Sequence, residues 1–152
     1  MFATRADSAA RKAGVLADER WRATVRPEPS VTFLGPAAMS RPLQVSIRNF
    51  GGALTAGAVV VQFGEDLFGC EIALPEKAPP QNVSLRPLVK SWRSSGAPRC
   101  LLLAGRDIEG RCWDLLAEGR AIKNPRRWLD RQLRDLRLAG IVDFPELAGG
   151  GR

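Results

Sequence analysis

The sequence predicts a mainly β protein, an antiparallel β-sandwich of about seven strands flanked by an N-terminal and a C-terminal α-helix. Short runs of β-branched and apolar residues recur roughly every dozen residues between positions 30 and 117, divided by Gly, Pro and Asn. Several of these runs alternate apolar with polar residues, which is typical of a strand with one buried face. Helical periodicity is confined to residues 3–24 and 123–140, so the predicted helices lie outside the strand-rich part of the chain.

The first helix is predicted for residues 3–24, inside an N-terminal helical segment of residues 1–29. Its stripe consists of apolar residues at helical spacing: Ala6, Ala10, Ala13, Ala17 and Trp21. Pro27 and Pro29 end the segment, because proline donates no backbone hydrogen bond and restricts the residue before it. A stripe made mostly of alanine buries little apolar surface, so we expect this helix to need a partner.

The sandwich is predicted for residues 30–122. Leu43, Val45 and Ile47 alternate with polar residues, whereas residues 59–61 form a continuous valine run that suits a central strand. We expect one core between two sheets, made of apolar residues from these and the later strands: Leu43, Val45, Ile47, Val59, Val61, Leu85, Leu101 and Leu103.

A glycine-rich break, Asn-Phe-Gly-Gly, follows the run at 43–49. A phosphate-binding loop would need the GxxxxGK[ST] spacing, a lysine and a helix after it, and this stretch has none of these. The turn interpretation is therefore preferred: Asn49 tolerates the left-handed region and Gly51 supplies a positive φ.

A second turn is predicted in the stretch GRDIEGRCW. Asp107 would accept hydrogen bonds from the turn backbone, Gly110 would take the left-handed conformation, and Trp113 would pack on the sheet. The alternative is a metal bound by Asp107 and Glu109, but two loop carboxylates rarely suffice for that.

These strands and turns follow a recognisable order. A strand ending in Asn-x-Gly precedes an A-x-x-V-x-V strand, a hairpin and a proline-bearing loop, and a D-x-x-G-x-x-W hairpin comes later. The matching residues are Asn49, Gly51, Ala56, Val59, Val61, Pro75, Asp107, Gly110 and Trp113. Over about residues 30–117, this order resembles bacterial immunoglobulin-like domains of the cell-adhesion-related (CARDB-like) type. The resemblance implies an immunoglobulin-like sandwich.

The clearest helix is predicted for residues 123–140, within a C-terminal segment of residues 123–152. Asn124 is a good N-cap, Pro125 is favoured at the first helical position, and Gly140 is a natural residue for the C-terminal end. The apolar stripe consists of leucines at helical spacing: Leu129, Leu133 and Leu136. The stretch IVDFPEL after the helix is interpreted as a docking segment, and AGGGR as a flexible end.

This helix also carries the candidate contact residues: Arg126, Arg127, Trp128, Arg131, Arg134 and Arg137. The arginines would meet phosphates and the tryptophan would stack on a base if the helix binds nucleic acid. The interpretation that we prefer is a helix docked by its leucines, with solvated arginines that pair in part with Asp130 and Asp135.

Composition argues against catalysis, a cofactor or a metal site. The chain has no histidine, which removes the commonest general base. Its three cysteines, Cys70, Cys100 and Cys112, lie in apolar strand contexts that disfavour the thiolate and form no CxxC pair. An odd cysteine count also fits a reducing compartment, and we expect all three thiols to be free.

The net charge of +7 is the remaining clue to partners. Such an excess attracts nucleic acid, an anionic membrane or an acidic protein. The interpretation that we prefer is a solvated, arginine-rich surface, because the basic residues are spread over the whole chain. The sequence shows neither a signal peptide nor an apolar run long enough to span a membrane, so we expect a cytoplasmic or virion-associated protein of a bacterium or phage. The preferred function is a non-catalytic module that binds another protein, as an accessory subunit of a larger complex or virion. The alternative is a nucleic-acid-associated protein that uses the arginine-rich helix.

Overall fold

The computed structural model describes residues 25–34, 43–94, 96–116 and 119–149. The predicted helix at 3–24 lies outside these ranges. The described elements are eight strands and one helix: β1 (Pro29–Phe33), β2 (Leu43–Asn49), β3 (Leu54–Gly64), β4 (Asp66–Leu74), β5 (Gln81–Val89), β6 (Gly96–Arg106), β7 (Cys112–Asp114), β8 (Arg120–Ile122) and α1 (Pro125–Asp135). No helix in these ranges has the length and apolar character that a membrane crossing requires.

All strand pairs are antiparallel and belong to one sheet with the order β1-β2-β5-β4-β3-β6-β7-β8. The predicted mainly β, antiparallel class is confirmed, whereas a sandwich of two separate sheets is not. β5 explains the difference, because it connects the two parts of the sheet. Its residues 81–85 pair with β2, and its residues 86–89 pair with β4.

One face of the curled sheet encloses an interior cluster. Seven of the eight predicted core residues belong to it: Leu43, Val45, Ile47, Val59, Val61, Leu85 and Leu103. The prediction for Leu101 is wrong, since this side chain is half-buried and packs on the opposite face. A β-bulge causes the exchange: the β3–β6 register shifts between Val60 and Val61, so Leu101 and Leu102 both turn toward the second face.

The opposite face carries the outer cluster, which α1 covers. Val60 and Leu102 of the sheet pack there with Leu129 and Leu133 of the helix. The predicted continuous burial of the valine run is confirmed, because Val60 faces the outer cluster while its two neighbours face the interior one. The stretch after the helix docks on the same cluster through Phe144 and Leu147, whose exposed fractions are 1% and 2%.

The helix ends earlier than predicted. Its last residue is Asp135, Leu136 is the C-cap, and Arg137 takes the left-handed conformation with φ 61°. The Leu138 N–H donates to the Leu133 carbonyl at 2.7 Å, and both leucine side chains are buried in the outer cluster. This hydrogen bond and the apolar contact beside it form a Schellman motif, so the assignment of the helix end to Gly140 is wrong.

The loop after β2 is organised by the Asn49 side chain, which is 1% exposed. Its Oδ1 accepts the N–H groups of Glu28 and Gly51 at 3.0 and 3.1 Å, and its Nδ2 donates to the carbonyls of Gly52 and Pro75 at 2.8 and 2.9 Å. The predicted positive φ at Asn49 and Gly51 is wrong. Glycine is needed for close approach instead: a Cβ at Gly52 would lie 2.5 Å from the carbonyl carbon of Val25.

The loop after β6 agrees with its prediction. Asp107 Oδ1 accepts the N–H groups of Glu109 and Arg111 at 2.8 and 3.0 Å, and Gly110 has φ 81°. Trp113 is buried on the sheet, and its indole N–H donates to Asp107 Oδ2 at 3.0 Å. Both Asp107 oxygens are therefore engaged by the protein, and Glu109 forms an ion pair with Arg111, which leaves this loop poorly suited to a metal.

Candidate functional site

The candidate site is the solvent-facing side of α1. The helix begins as predicted, with Pro125 in its first turn and Asn124 as N-cap, whose Oδ1 accepts the Arg127 N–H at 3.1 Å. Leu129 and Leu133 are 0% and 3% exposed, and they fix the helix to the sheet. Because the apolar stripe is covered by the chain's own outer cluster, the polar side of α1 is the side that a ligand can reach.

Arg126 is partly exposed, but its charge is paired within the protein. Its Nε donates to Asp130 at 3.0 Å, and its two terminal nitrogens donate to Asp143 at 3.1 and 2.8 Å. These hydrogen bonds raise the pKa of the Arg126 guanidinium above its ordinary value and lower the pKa of the Asp143 carboxyl below its ordinary value. Arg126 thus joins the helix to the stretch that follows it, which is a structural role.

Three of the candidate arginines are exposed together. Arg127, Arg131 and Arg134 lie on consecutive turns of α1, and none of them takes part in the ion pairs recorded for the described residues. Arg137 is also exposed but lies beyond the helix, in the left-handed position. The predicted pairing with aspartates is thus found for Arg126 and Asp130, and the other arginines keep their charge available.

A groove of about 330 Å³ runs along the N-terminal half of this face. It separates α1 from the hairpin formed by β7 and β8. Its lining includes four basic side chains, one acidic side chain and one aromatic ring: Arg120, Lys123, Arg127, Arg131, Asp114 and Trp128. The structure thus brings three of the predicted residues, Arg127, Trp128 and Arg131, into one concave surface.

Sequence reasoning missed Arg120, Lys123 and Asp114. Arg120 lies on β8, whose three residues are too few to show an alternating pattern, and Lys123 lies in the short connection to α1. The available signal covered Lys123 alone, because this residue follows the half-buried Ile122 and alternation along the strand places it toward solvent. Asp114 pairs with Arg120 across the β7–β8 ladder.

Three further grooves among the described residues lack this excess of positive charge. The groove after the helix, of about 580 Å³, is lined by two arginines and two aspartates. The groove beside Phe144 contains two glutamates and no basic residue, and the groove beside Phe50 contains one arginine and one glutamate. Four basic residues against one acid therefore distinguish the groove at Trp128.

The C-terminal end of α1 meets another basic residue. The Trp92 indole N–H donates to the Leu136 carbonyl at 2.7 Å, and the Arg93 guanidinium lies 4.3 Å from the centre of the Trp92 ring. Arg93 is thereby held near the C-terminal end of α1. Arg86 lies on β5, opposite Gly69 of β4.

The thiols do not resemble nucleophiles. All three cysteines are free, as predicted. Burial raises the pKa of Cys70, and it raises the pKa of Cys100 and of Cys112 to about 11. A thiol with such a pKa is almost entirely protonated at neutral pH and is a poor nucleophile.

The groove and the exposed arginines are thus the features from which a function must be inferred. Comparison of the chain with protein-family models, with curated proteins and with solved structures finds no match.

Proposed function

We propose that this protein is a non-catalytic module that binds nucleic acid through the outer face of α1 and the adjoining groove. The observation that carries the proposal is the groove at Trp128, whose lining includes four basic residues and one acidic residue. Lysine and arginine side chains that are free of protein partners neutralise phosphates and release the counterions that surround them, which supplies most of the non-specific binding energy.

The packing of α1 supports this choice over the protein partner that we preferred from the sequence. Leu129 and Leu133, which a partner would need for apolar contact with the helix, are covered by the chain's own sheet. What remains accessible on the helix is mainly charge. Arg127, Arg131 and Arg134 project from the side opposite the stripe, which is the arrangement expected for contacts with a phosphate backbone.

A protein partner stays the second candidate because of one observation. Ile141 is 59% exposed and lines the groove of about 580 Å³ that follows α1. An apolar side chain in an open groove is a suitable anchor for a partner's apolar residue. Under this candidate the chain is an accessory subunit of a larger complex or virion, and the immunoglobulin-like relationship stays a prediction that would fit such a role.

The test is a titration of fluorescently labelled oligonucleotides, with anisotropy measured over a series of salt concentrations. The protein should bind, and its affinity should fall steeply with salt, with a log–log slope of about −0.9 for each phosphate contacted in duplex DNA and about −0.7 in single strands. Changing Arg127, Arg131 and Arg134 together to Gln should flatten the slope by about two to three units.

A matched control removes the same charge elsewhere. Arg48, Arg86 and Lys90 are exposed residues of β2, of β5 and of the loop after β5, and changing these three to Gln should leave the slope nearly unchanged. If both triple variants weaken binding equally, net charge rather than this surface is responsible. If the unaltered protein shows no salt-dependent binding, the proposal is wrong, and loss of a captured protein on Ile141→Ser would favour the second candidate.

A further inference from the structure

We infer that the groove at Trp128 selects single-stranded over duplex nucleic acid, by stacking one unpaired base on the indole ring while phosphates lie against the basic rims. This inference rests on the proposed function and names the form of nucleic acid that the same site takes.

The three tryptophans of the described residues differ in whether the protein itself provides an acceptor for the indole N–H and a cation over the ring. Trp92 donates its indole N–H to Leu136, and Arg93 covers its ring. Trp113 donates its indole N–H to Asp107, and the Arg26 guanidinium lies 5.9 Å from its ring centre. Both rings are buried, with exposed fractions of 7% and 8%. A buried indole usually finds such a hydrogen-bond partner, so these two residues serve the fold.

The Trp128 indole has neither a hydrogen bond nor a cation–π contact with the described residues. It is half-buried, and one part of its side chain packs against the outer cluster while another part lines the groove. Neither the hydrogen bonds nor the cation–π contacts found among the described residues include its indole ring. No buried side-chain nitrogen or oxygen in these ranges lacks a partner, so the Trp128 N–H reaches solvent. Its ring is thus held by the core yet available to a ligand.

The size of the groove and the residues that line it suit an inserted base. Its volume of about 330 Å³ falls at the small end of the sizes typical of small-ligand pockets. Four basic residues line the groove together with Trp128: Arg120, Lys123, Arg127 and Arg131. A base that entered between them would stack on Trp128, while its flanking phosphates would meet the cations.

Asp114 also favours a base over a phosphate in part of this groove. It is the carboxylate that lines this groove, and its Oδ1 accepts the Leu116 N–H at 3.2 Å. A carboxylate repels phosphate, so the position beside it suits a neutral base and not the backbone. In a duplex, the bases are paired and stacked inside, and one would have to be unpaired at a cost before it could enter the groove.

The experiment compares a 12-nucleotide single strand with the corresponding 12-base-pair duplex, by anisotropy at one low salt concentration. The single strand should bind more tightly. Trp128→Leu, which keeps an apolar side chain against the outer cluster, should weaken single-strand binding roughly tenfold to a hundredfold, as expected for the loss of one stacked base. Duplex binding should change less than about twofold, since phosphate contacts do not involve the ring.

Two further variants make the outcomes distinct. Trp128→Phe should restore a large part of single-strand affinity, because phenylalanine keeps a smaller aromatic face. Arg127→Gln should weaken single strand and duplex alike, and thermal melting of each variant checks that it is folded. If the duplex binds as tightly as the single strand and Trp128→Leu alters neither, the selection of single strands is refuted while the proposed function stands. If neither form binds at low salt, both proposals fail.

Discussion

The loops after β2 and after β6 are each organised by one buried polar side chain, and the two side chains differ in the hydrogen bonds that they form. Asn49 accepts two N–H groups and donates to two carbonyls. Asp107 only accepts, from two backbone N–H groups and the Trp113 indole, and it pairs with Arg111. An amide is required where carbonyl oxygens are among the neighbours, and a carboxylate serves where every neighbour is a donor.

The glycines of the two loops differ in the reason why glycine is needed. Gly52 is required because backbone atoms of Val25 occupy the space of a Cβ, whereas Gly110 has open space around it but a φ of 81°. The first glycine avoids a steric clash with a distant segment, and the second supplies a conformation. The same residue type, glycine, therefore has a different cost of substitution in each of the two loops.

Asn49→Asp should be the most damaging change in this comparison. The new carboxylate would face the carbonyl oxygens of Gly52 and Pro75, which now accept from the amide. We expect a loss of about 3–5 kcal/mol in the free energy of unfolding at pH 7, as for other uncompensated buried charges. Burial would raise the pKa of the introduced carboxyl, so the loss should shrink as the pH falls toward 5. Urea unfolding at both pH values measures this, and a loss that does not depend on pH would contradict the assigned direction of these hydrogen bonds.

Gly52→Ala should follow, with a loss of about 2–3 kcal/mol, because the added methyl group must displace the backbone of Val25. The matched control is Gly96→Ala, where no atom lies within 4 Å of the added methyl and φ is not positive. The control should change stability by less than about 0.5 kcal/mol. Equal effects of the two substitutions would show that the contact between this loop and residues 25–28 does not support the fold.

Asp107→Asn should cost less, about 1–3 kcal/mol. The amide keeps one acceptor oxygen but turns its NH₂ group toward a donor, either the Trp113 indole or the turn backbone. Thermal melting combined with near-ultraviolet circular dichroism would report both the stability and the setting of Trp113. If Asp107→Asn proved more damaging than Asn49→Asp, the contrast drawn between the two side chains would be reversed.

Gly110→Ala should cost about 1 kcal/mol, the usual penalty of the left-handed conformation for a residue with a Cβ. Its effect should be smaller than that of Gly52→Ala, because the added methyl meets open space. Chemical denaturation of the two variants under identical conditions provides the comparison. A larger loss at Gly110 than at Gly52 would mean that backbone conformation outweighs steric clash here.

Arg137→Gly extends the same reasoning with the opposite sign. Arg137 occupies the left-handed position of the Schellman motif with φ 61°, where glycine is the usual residue. We expect a gain of roughly 0.5–1 kcal/mol, reduced by the greater freedom of glycine in the unfolded chain. A rise of a few degrees in melting temperature would agree with this, and a fall would show that the arginine side chain contributes more than its backbone strain costs.

Sequence patterning predicted the burial of β2 and β3 well, because burial on one face leaves an alternating pattern and burial on both faces leaves a continuous one. It could not place Leu101, since a single-residue bulge moves a side chain to the other face without altering the composition of the strand. It also could not identify Asn49 as a buried hydrogen-bonding centre, because its partners Glu28 and Pro75 lie 21 and 26 residues away in the chain.

The candidate surface was predictable only in part. Helical spacing grouped Arg127, Arg131 and Arg134 on one side of α1, and the N-cap was evident from Asn124 and Pro125. Which arginine would be withdrawn into an ion pair was not evident, because Arg126 is held by Asp143 as well as by its helical neighbour Asp130. The rest of the groove lining comes from β7, from the three-residue strand β8 and from the connection to α1, and elements this short leave no pattern in the sequence.

The shared strand β5 has a consequence for cooperativity. Because β5 pairs with β2 along its first part and with β4 along its second, the ladders on both sides depend on the placement of one nine-residue segment. Local opening of β5 would expose together the amides of β2 and of β4 that are bonded to β5, while the amides bonded to β1 and β3 stay paired. The amides of β2 and β4 on the β5 side should therefore exchange with deuterium through a common event of similar free energy.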